Sequence, residues 1–244
     1  MKAIILAAGL GRRLESVTGG LPKCMVPVGG VPLLDRMIER IAEVGITELV
    51  VVTGHRVADL EAHLAGSSHP LARGAVRVFN PRYAEWGNFY SLLVAEEAIG
   101  GDGFLKLDGD VLMDGGLLPR LLDAPGPAAL AIDVRGGLGE EEMKARIDGS
   151  GRIVELNKRM DPAAALGEFV GIERIDAALA PRVWSQLRQL IDRGETDEYY
   201  ERAYELLMQD GVGFSVADVS TATWCEIDDG DDLAAAEALL ARMR

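Results

Sequence analysis

Apolar positions fall along the chain in two alternating patterns. Residues 2–7 (Lys-Ala-Ile-Ile-Leu-Ala) make a short apolar run that meets Gly9 and Gly11, which predicts a buried first strand ending in a glycine loop. In residues 32–44, Leu33, Leu34, Met37, Ile38 and Ile41 recur at helical spacing. Residues 48–53 predict a second buried strand closed by Gly54, and residues 57–65 a helix. A strand at 76–79, a helix at 88–99 and a strand at 103–107 follow. This strand–helix alternation predicts a parallel sheet covered by helices on both faces.

The second half reads differently. Residues 128–134, 143–148, 152–156 and 168–174 predict strands, several joined by glycine turns such as Asp148-Gly149-Ser150-Gly151. Residues 176–193 and 197–209 predict helices, 213–219 and 223–227 strands, and 231–243 a last Ala/Leu-rich helix. No linker, repeat or low-complexity tract interrupts the pattern, and Ala124-Pro125-Gly126-Pro127 reads as a loop. The expectation is one α/β domain over residues 1–244. Its half 1–125 would face a nucleotide and its half 126–244 a second substrate, on a Rossmann-like, mixed, mostly parallel sheet.

Composition narrows the picture. At 244 residues, 48% apolar and 26% charged, the chain can bury a substantial core. No apolar run approaches the roughly 20 residues that span a bilayer, and the run after Met1 is too short for a signal peptide. Cys24 and Cys225 are too few for a disulfide framework, so a reducing, cytoplasmic setting is expected, with both read as small buried hydrophobes. The net charge of −14 argues against nonspecific nucleic-acid or anionic-membrane binding. Charge is uneven: residues 1–25 hold Lys2, Arg12, Arg13 and Lys23 against Glu15, whereas residues 195–232 hold twelve acids against Arg202.

The loop Leu6-Ala7-Ala8-Gly9-Leu10-Gly11-Arg12-Arg13-Leu14 follows the first strand directly. Ligands bind at the carboxyl ends of strands in open α/β sheets, and glycines let the backbone approach phosphate oxygens. Arg13 and Lys23 add positive charge. The Rossmann fingerprint fails because Leu14 stands where a third glycine is needed, and the Walker A sequence is absent. Asp108-Gly109-Asp110 ends a predicted strand, and Glu226-Ile227-Asp228 ends another. Carboxylates beside a triphosphate suit Mg²⁺, which takes one or two of them plus phosphate oxygens and water. Asp229, Asp231 and Asp232 are better placed as charges at a helix N-terminus.

Leu-Ala-Ala-Gly-x-Gly-x-Arg, followed by Pro22-Lys23 and Cys24-Met25-Val26-Pro27-Val28-Gly29-Gly30-Val31-Pro32, resembles the opening of the nucleoside-diphosphate-sugar pyrophosphorylase superfamily. The resemblance implies a GT-A-like nucleotidyltransferase fold. It implies a nucleotide site at Leu6, Ala7, Ala8, Gly9, Gly11, Arg13, Lys23 and Asp108, and Mg²⁺ on Asp110 and Asp228 with Glu226 accessory. The segment from Asn80 to Leu92 is similar to a motif of bacterial phosphocholine cytidylyltransferases, and so are Gly151–Lys158, Gly167–Ile172, Tyr199-Tyr200-Glu201 and Trp224–Asp228. This branch implies CTP as the nucleotide, with Asn88 and Ser91 near its base, and a small phosphorylated acceptor.

A quaternary ammonium acceptor would need ring faces, and Trp86, Tyr90, Tyr199, Tyr200 and Trp224 are the candidate acceptor residues, with Glu168 and Glu201 beside them. Each ring taken singly fits core or rim packing better, and it is their clustering in the motif segments that brings a cage level with that reading. The catalytic set expected is Arg13, Lys23 and Lys158, the last on the acceptor phosphate. His55, His63 and His69 show no ligand spacing and are expected on the surface or in loops. Three rivals stay open: transfer to an aminoalkyl phosphonate or inositol phosphate, a sugar-1-phosphate nucleotidyltransferase, and a non-catalytic nucleotide-binding regulator. The sequence also leaves open whether the chain forms a homodimer.

Overall fold

Both faces of strand β1 (Lys2–Ala7) are apolar. Ala3, Ile5 and Ala7 join one core and Ile4 and Leu6 the other, so the strand runs through the middle of the molecule. The computed structural model describes residues 1–14 and 19–243; Glu15, the acid of the basic N-terminal stretch, lies outside them. The remaining strands are β2 (Pro27–Val28), β3 (Val31–Pro32), β4 (Leu49–Thr53), β5 (Val76–Phe79), β6 (Phe104–Asp108), β7 (Val111–Met113), β8 (Ala128–Asp133), β9 (Lys144–Ile147), β10 (Arg152–Asn157), β11 (Gly167–Ile175), β12 (Phe214–Asp218) and β13 (Trp224–Glu226).

Nine of these form one sheet in the order β5-β4-β1-β6-β11-β8-β12-β10-β9. Pairing is parallel across β5-β4-β1-β6 and between β8 and β12, and antiparallel elsewhere. The sheet is thus mixed: its continuous parallel part comes from the first half of the chain, and the second half brings the antiparallel ladders and one parallel pair, β8 with β12. Helices Leu33–Glu43, Val57–Gly66, Leu117–Asp123 and Gly230–Leu240 supply one core, and Phe89–Leu93, Ala180–Asp192 and Glu201–Gln209 the other.

Local chemistry shifts some boundaries. The predicted 88–99 helix divides into Phe89–Leu93 and Glu96–Ile99, because Ala95 N bonds Leu92 O in a tighter turn. The helix expected from 176 begins at Ala180, with Pro181 in its first turn. The one expected from 197 begins at Glu201, because the preceding loop is tied across the molecule: Gly87 N donates to Thr196 O at 2.8 Å, and Tyr200 N to Asn88 Oδ1 at 3.0 Å. The β2–β3 hairpin, β7 and the helix Leu117–Asp123 are not apparent from periodicity, being short or set in loops. Among the described residues, no helix is long and apolar enough to cross a membrane.

Candidate active site

The site lies at the carboxyl ends of β1 and β6. After β1 the chain turns through Gly9 and Gly11 into a single helical turn, Arg12–Leu14. Gly11 has φ +58°, and a Cβ there would lie 3.2 Å from Lys23 Cγ, so glycine both permits the turn and admits the lysine stem. Gly109 sits where a Cβ would meet the Leu6 carbonyl oxygen at 2.5 Å. The Asp108–Asp110 turn therefore presses directly on the end of β1.

Antiparallel pairing of β7 with β13 places Glu226 opposite Val111, and Ile227 N donates to Asp110 O at 2.9 Å. Asp228 consequently faces Asp110, although the two are far apart in sequence. Oxygens of Asp110, Glu226 and Asp228 all lie within 4.8 Å of one another, a spacing that one Mg²⁺ could bridge. Asp108 is outside this group. Its carboxylate accepts from Tyr200 OH at 2.7 Å and lies 3.2 Å from Lys106 Nζ.

Two cations close the cluster. Lys23 Nζ lies 3.0 Å from Asp110 Oδ2 and also bonds Asp228 Oδ1, while Arg13 bonds Asp228 Oδ2. Burial pulls the Lys23 pKa down, but Asp110 and Asp228 more than offset this, and the net shift is upward. Burial raises Asp110, with Lys23 opposing and Asp108 adding. Asp228 stays below its ordinary value because Lys23 and Arg13 outweigh its desolvation. Glu226 is pushed up by lost hydration and by Asp110 and Asp228; since its side chain remains exposed, the crowding of charge is the stronger reason.

Two adjoining clefts share Lys23 and Asp110. One, of about 320 Å³, is lined by Ala7, Gly9, Gly11, Arg12 and Arg13. The other, of about 350 Å³, is lined by Leu6, Ala8, Asn88, Ser91, Asp108, Lys158, Glu168 and Glu201, together with Tyr83, Trp86 and Tyr199. Each has the size of a small-molecule site. Asn88 and Ser91 are fixed by Tyr200 N and by Asn80 Nδ2 respectively.

Three of the five candidate rings do not line either cleft. Tyr200 is fully buried, Tyr90 packs edge-on against Trp86 at 4.8 Å between centroids, and Trp224 joins the opposite core and donates from Nε1 to Asp133 at 2.8 Å. Sequence reading missed Tyr83, Glu141 and Glu142 in the cleft wall. It also missed the buried set of Lys106, Glu173 and Tyr204 beneath it. A lysine inside the apolar run Phe-Leu-Lys-Leu-Asp, two residues before Asp108 and so on the same strand face, was the available signal. No histidine lines either cleft; His63 instead bonds Asp35 at 2.7 Å. Cys24 is buried as expected, while Cys225 is only partly so.

Comparison with known proteins identifies the family. The chain is 31% identical over 241 residues to the CMP-5'-(3-aminopropyl)phosphonate synthase of Streptomyces rubellomurinus, covering 95% of this chain and 37% of that protein. It is 37% identical over 109 residues to the choline-phosphate cytidylyltransferase of Streptococcus pneumoniae, covering 44% of each. The chain therefore spans less than half the length of either relative in these matches. Among solved structures, the inositol-1-phosphate CTP transferase from T. maritima superposes with TM-score 0.83 at 25% identity, over 99% of this chain and 95% of that one. Residues 3–199 match the model of the MobA-like NTP transferase domain, and to that family the chain belongs.

Proposed function

We propose that the chain is a magnesium-dependent cytidylyltransferase that joins CTP to a small phosphorylated or phosphonate acceptor and releases pyrophosphate. The observation that carries this reading is the meeting of Lys23 and Arg13 with Asp110, Glu226 and Asp228 at the junction of two clefts. The choice of CTP rests on the relatives, three of which are named for CMP or CTP chemistry.

In this reading the glycine loop at Gly9 and Gly11, with Arg13, holds the β- and γ-phosphates. Lys23 lies against the α-phosphate, and Asp110 and Asp228, with Glu226, would hold Mg²⁺. The bound ion supplies charge neutralisation for the phosphates. Asn88 spends its Oδ1 on Tyr200 N–H, which leaves its NH₂ to donate to the base. Lys158 directs the acceptor phosphate. An acceptor oxygen, already ionised near neutral pH, forms a bond to the α-phosphorus while the bond to the bridging oxygen breaks, and that electron pair leaves with pyrophosphate. No side-chain nucleophile is required, so the work is positioning and charge stabilisation.

Pyrophosphate release with CTP, UTP, dTTP and GTP against phosphocholine, phosphoethanolamine, 2-aminoethylphosphonate, inositol phosphate and glucose 1-phosphate tests the reading. Acceptor-dependent release with CTP is expected. Nucleotide binding with no release for any acceptor would instead identify a regulatory module, and preference for glucose 1-phosphate a sugar nucleotidyltransferase.

A further inference from the structure

Beneath the larger cleft lies a buried charge cluster that does not balance. Lys106, fully buried, faces Asp108 at 3.2 Å, Glu173 at 3.0 Å and the Gly171 carbonyl at 3.0 Å. An ammonium has three N–H donors, so these neighbours exhaust it. Tyr200 OH is committed to Asp108 at 2.7 Å, and Tyr204 OH to Glu173 at 2.6 Å. One carboxylate is left over. Glu201 is 6% exposed, lines the cleft, and its Oε2 has no hydrogen-bond partner among the described residues. A buried acceptor left unpaired is costly, so a donor from the ligand would be strongly felt. Burial, with Asp108 adding to it, pushes Glu201 up to about 8, and a cation beside it would pull it back down.

The ring faces tell the complementary half. Arg82 already lies over Trp86 at 5.5 Å from its centroid, Lys158 over Tyr199 at 5.3 Å, and Lys106 over Tyr200 at 3.7 Å. Phe169 on the same wall has Lys106 over it at 5.7 Å, so drawing Lys158 onto the acceptor phosphate frees Tyr199 alone, which with Tyr83 makes too few faces to enclose a trimethylammonium. Glu141, Glu142 and Glu168 on the same wall favour a positively charged ligand.

We infer, resting on the cytidylyltransferase reading, that the acceptor carries a primary ammonium group and that the Glu201 carboxylate accepts a hydrogen bond from it, in preference to a quaternary ammonium. A trimethylammonium has no N–H to donate, so methylation removes the interaction while keeping the charge.

The test uses the whole chain with CTP and Mg²⁺, and compares phosphoethanolamine, its mono-, di- and trimethyl derivatives, 2-aminoethylphosphonate and inositol 1-phosphate by kcat/KM for pyrophosphate release. We expect phosphoethanolamine or 2-aminoethylphosphonate to exceed phosphocholine at least about tenfold, as for loss of one hydrogen bond to a charged group. Glu201→Gln should erase most of that preference with the KM for CTP unchanged. Equal or better use of phosphocholine or inositol 1-phosphate overturns the inference and leaves the cytidylyltransferase reading standing. A preference retained in Glu201→Gln also overturns it. Release with no acceptor overturns both. Should Glu201→Gln fail to fold, the methylation series on the native chain decides alone.

Discussion

Lys23 is the residue on which the two acidic segments converge, touching both Asp110 and Asp228. Lys23→Ala leaves three carboxylates facing one another and removes the cation proposed for the α-phosphate. We expect kcat to fall at least about 100-fold, as when one preorganised charge partner of a transition state is removed. The melting temperature should stay within a few degrees, because the lysine is half-buried and belongs to neither core. Activity within about tenfold of the native chain would remove Lys23 from the mechanism. Glu201 makes a different prediction, on stability. Its folded pKa, about 8, lies above its ordinary 4.5, so the folded state binds the extra proton between those values. Stability from this group is therefore complete below about pH 4.5 and is lost as pH rises toward 8. Urea titrations of the ligand-free protein at pH 5 and pH 9 should show the native chain losing stability relative to Glu201→Gln, by an amount on the order of a few kcal/mol. A difference independent of pH would mean that Glu201 is ionised throughout.

At the scale of elements, the helix Gly230–Leu240 does more than cover the sheet. Asp229 caps it, accepting from Asp231 N and Asp232 N, and Asp232 reaches back to accept from Asp228 N at 2.9 Å and Asp229 N at 3.1 Å. The capping box thereby holds the backbone of a candidate metal residue. Asp232→Ala should cost about 1 kcal/mol, as for loss of a cap, and lower the melting temperature by about 2–4 °C. It should also raise the Mg²⁺ concentration needed for half-maximal activity, whereas Asp232→Asn, whose amide oxygen still accepts, should recover most of both. Much of this level was legible in the sequence. The strand run 2–7 is reproduced residue for residue, and the Asp-rich stretch after Asp228 falls at a helix start as its composition requires. What periodicity could not supply was the pairing. The three residues of β7 carry no alternation signal, yet their ladder with β13 sets Asp228 against Asp110. Nor could it show that Tyr200 is buried beside Tyr199, because the loop before Glu201 is set by cross-chain bonds from Gly87 and Asn88.

The whole molecule brings its most basic segment, residues 1–25, against its most acidic, residues 195–232, and in the proposed function this contact would couple two ligands. Without a nucleotide, Lys23 and Arg13 already neutralise Asp110 and Asp228. Free Mg²⁺ would therefore compete with bound cations and gain little. A triphosphate in the glycine-loop cleft would offer Lys23 and Arg13 a stronger partner and release the carboxylates. Metal and nucleotide should accordingly favour each other's binding by equal factors, with a coupling on the order of 1–3 kcal/mol. In thermal melts without acceptor, Mg²⁺ plus CTP should raise the melting temperature by more than the sum of the separate shifts, at about 2–4 °C per kcal/mol of coupling, and EDTA should cancel the excess. In Lys23→Ala, Mg²⁺ alone should stabilise more than it does in the native chain, and the excess should shrink. Strictly additive shifts in the native chain would show that the acidic cluster and the glycine loop bind independently, and the lysine between them would then be a structural pair rather than the switch that hands the carboxylates from protein to metal.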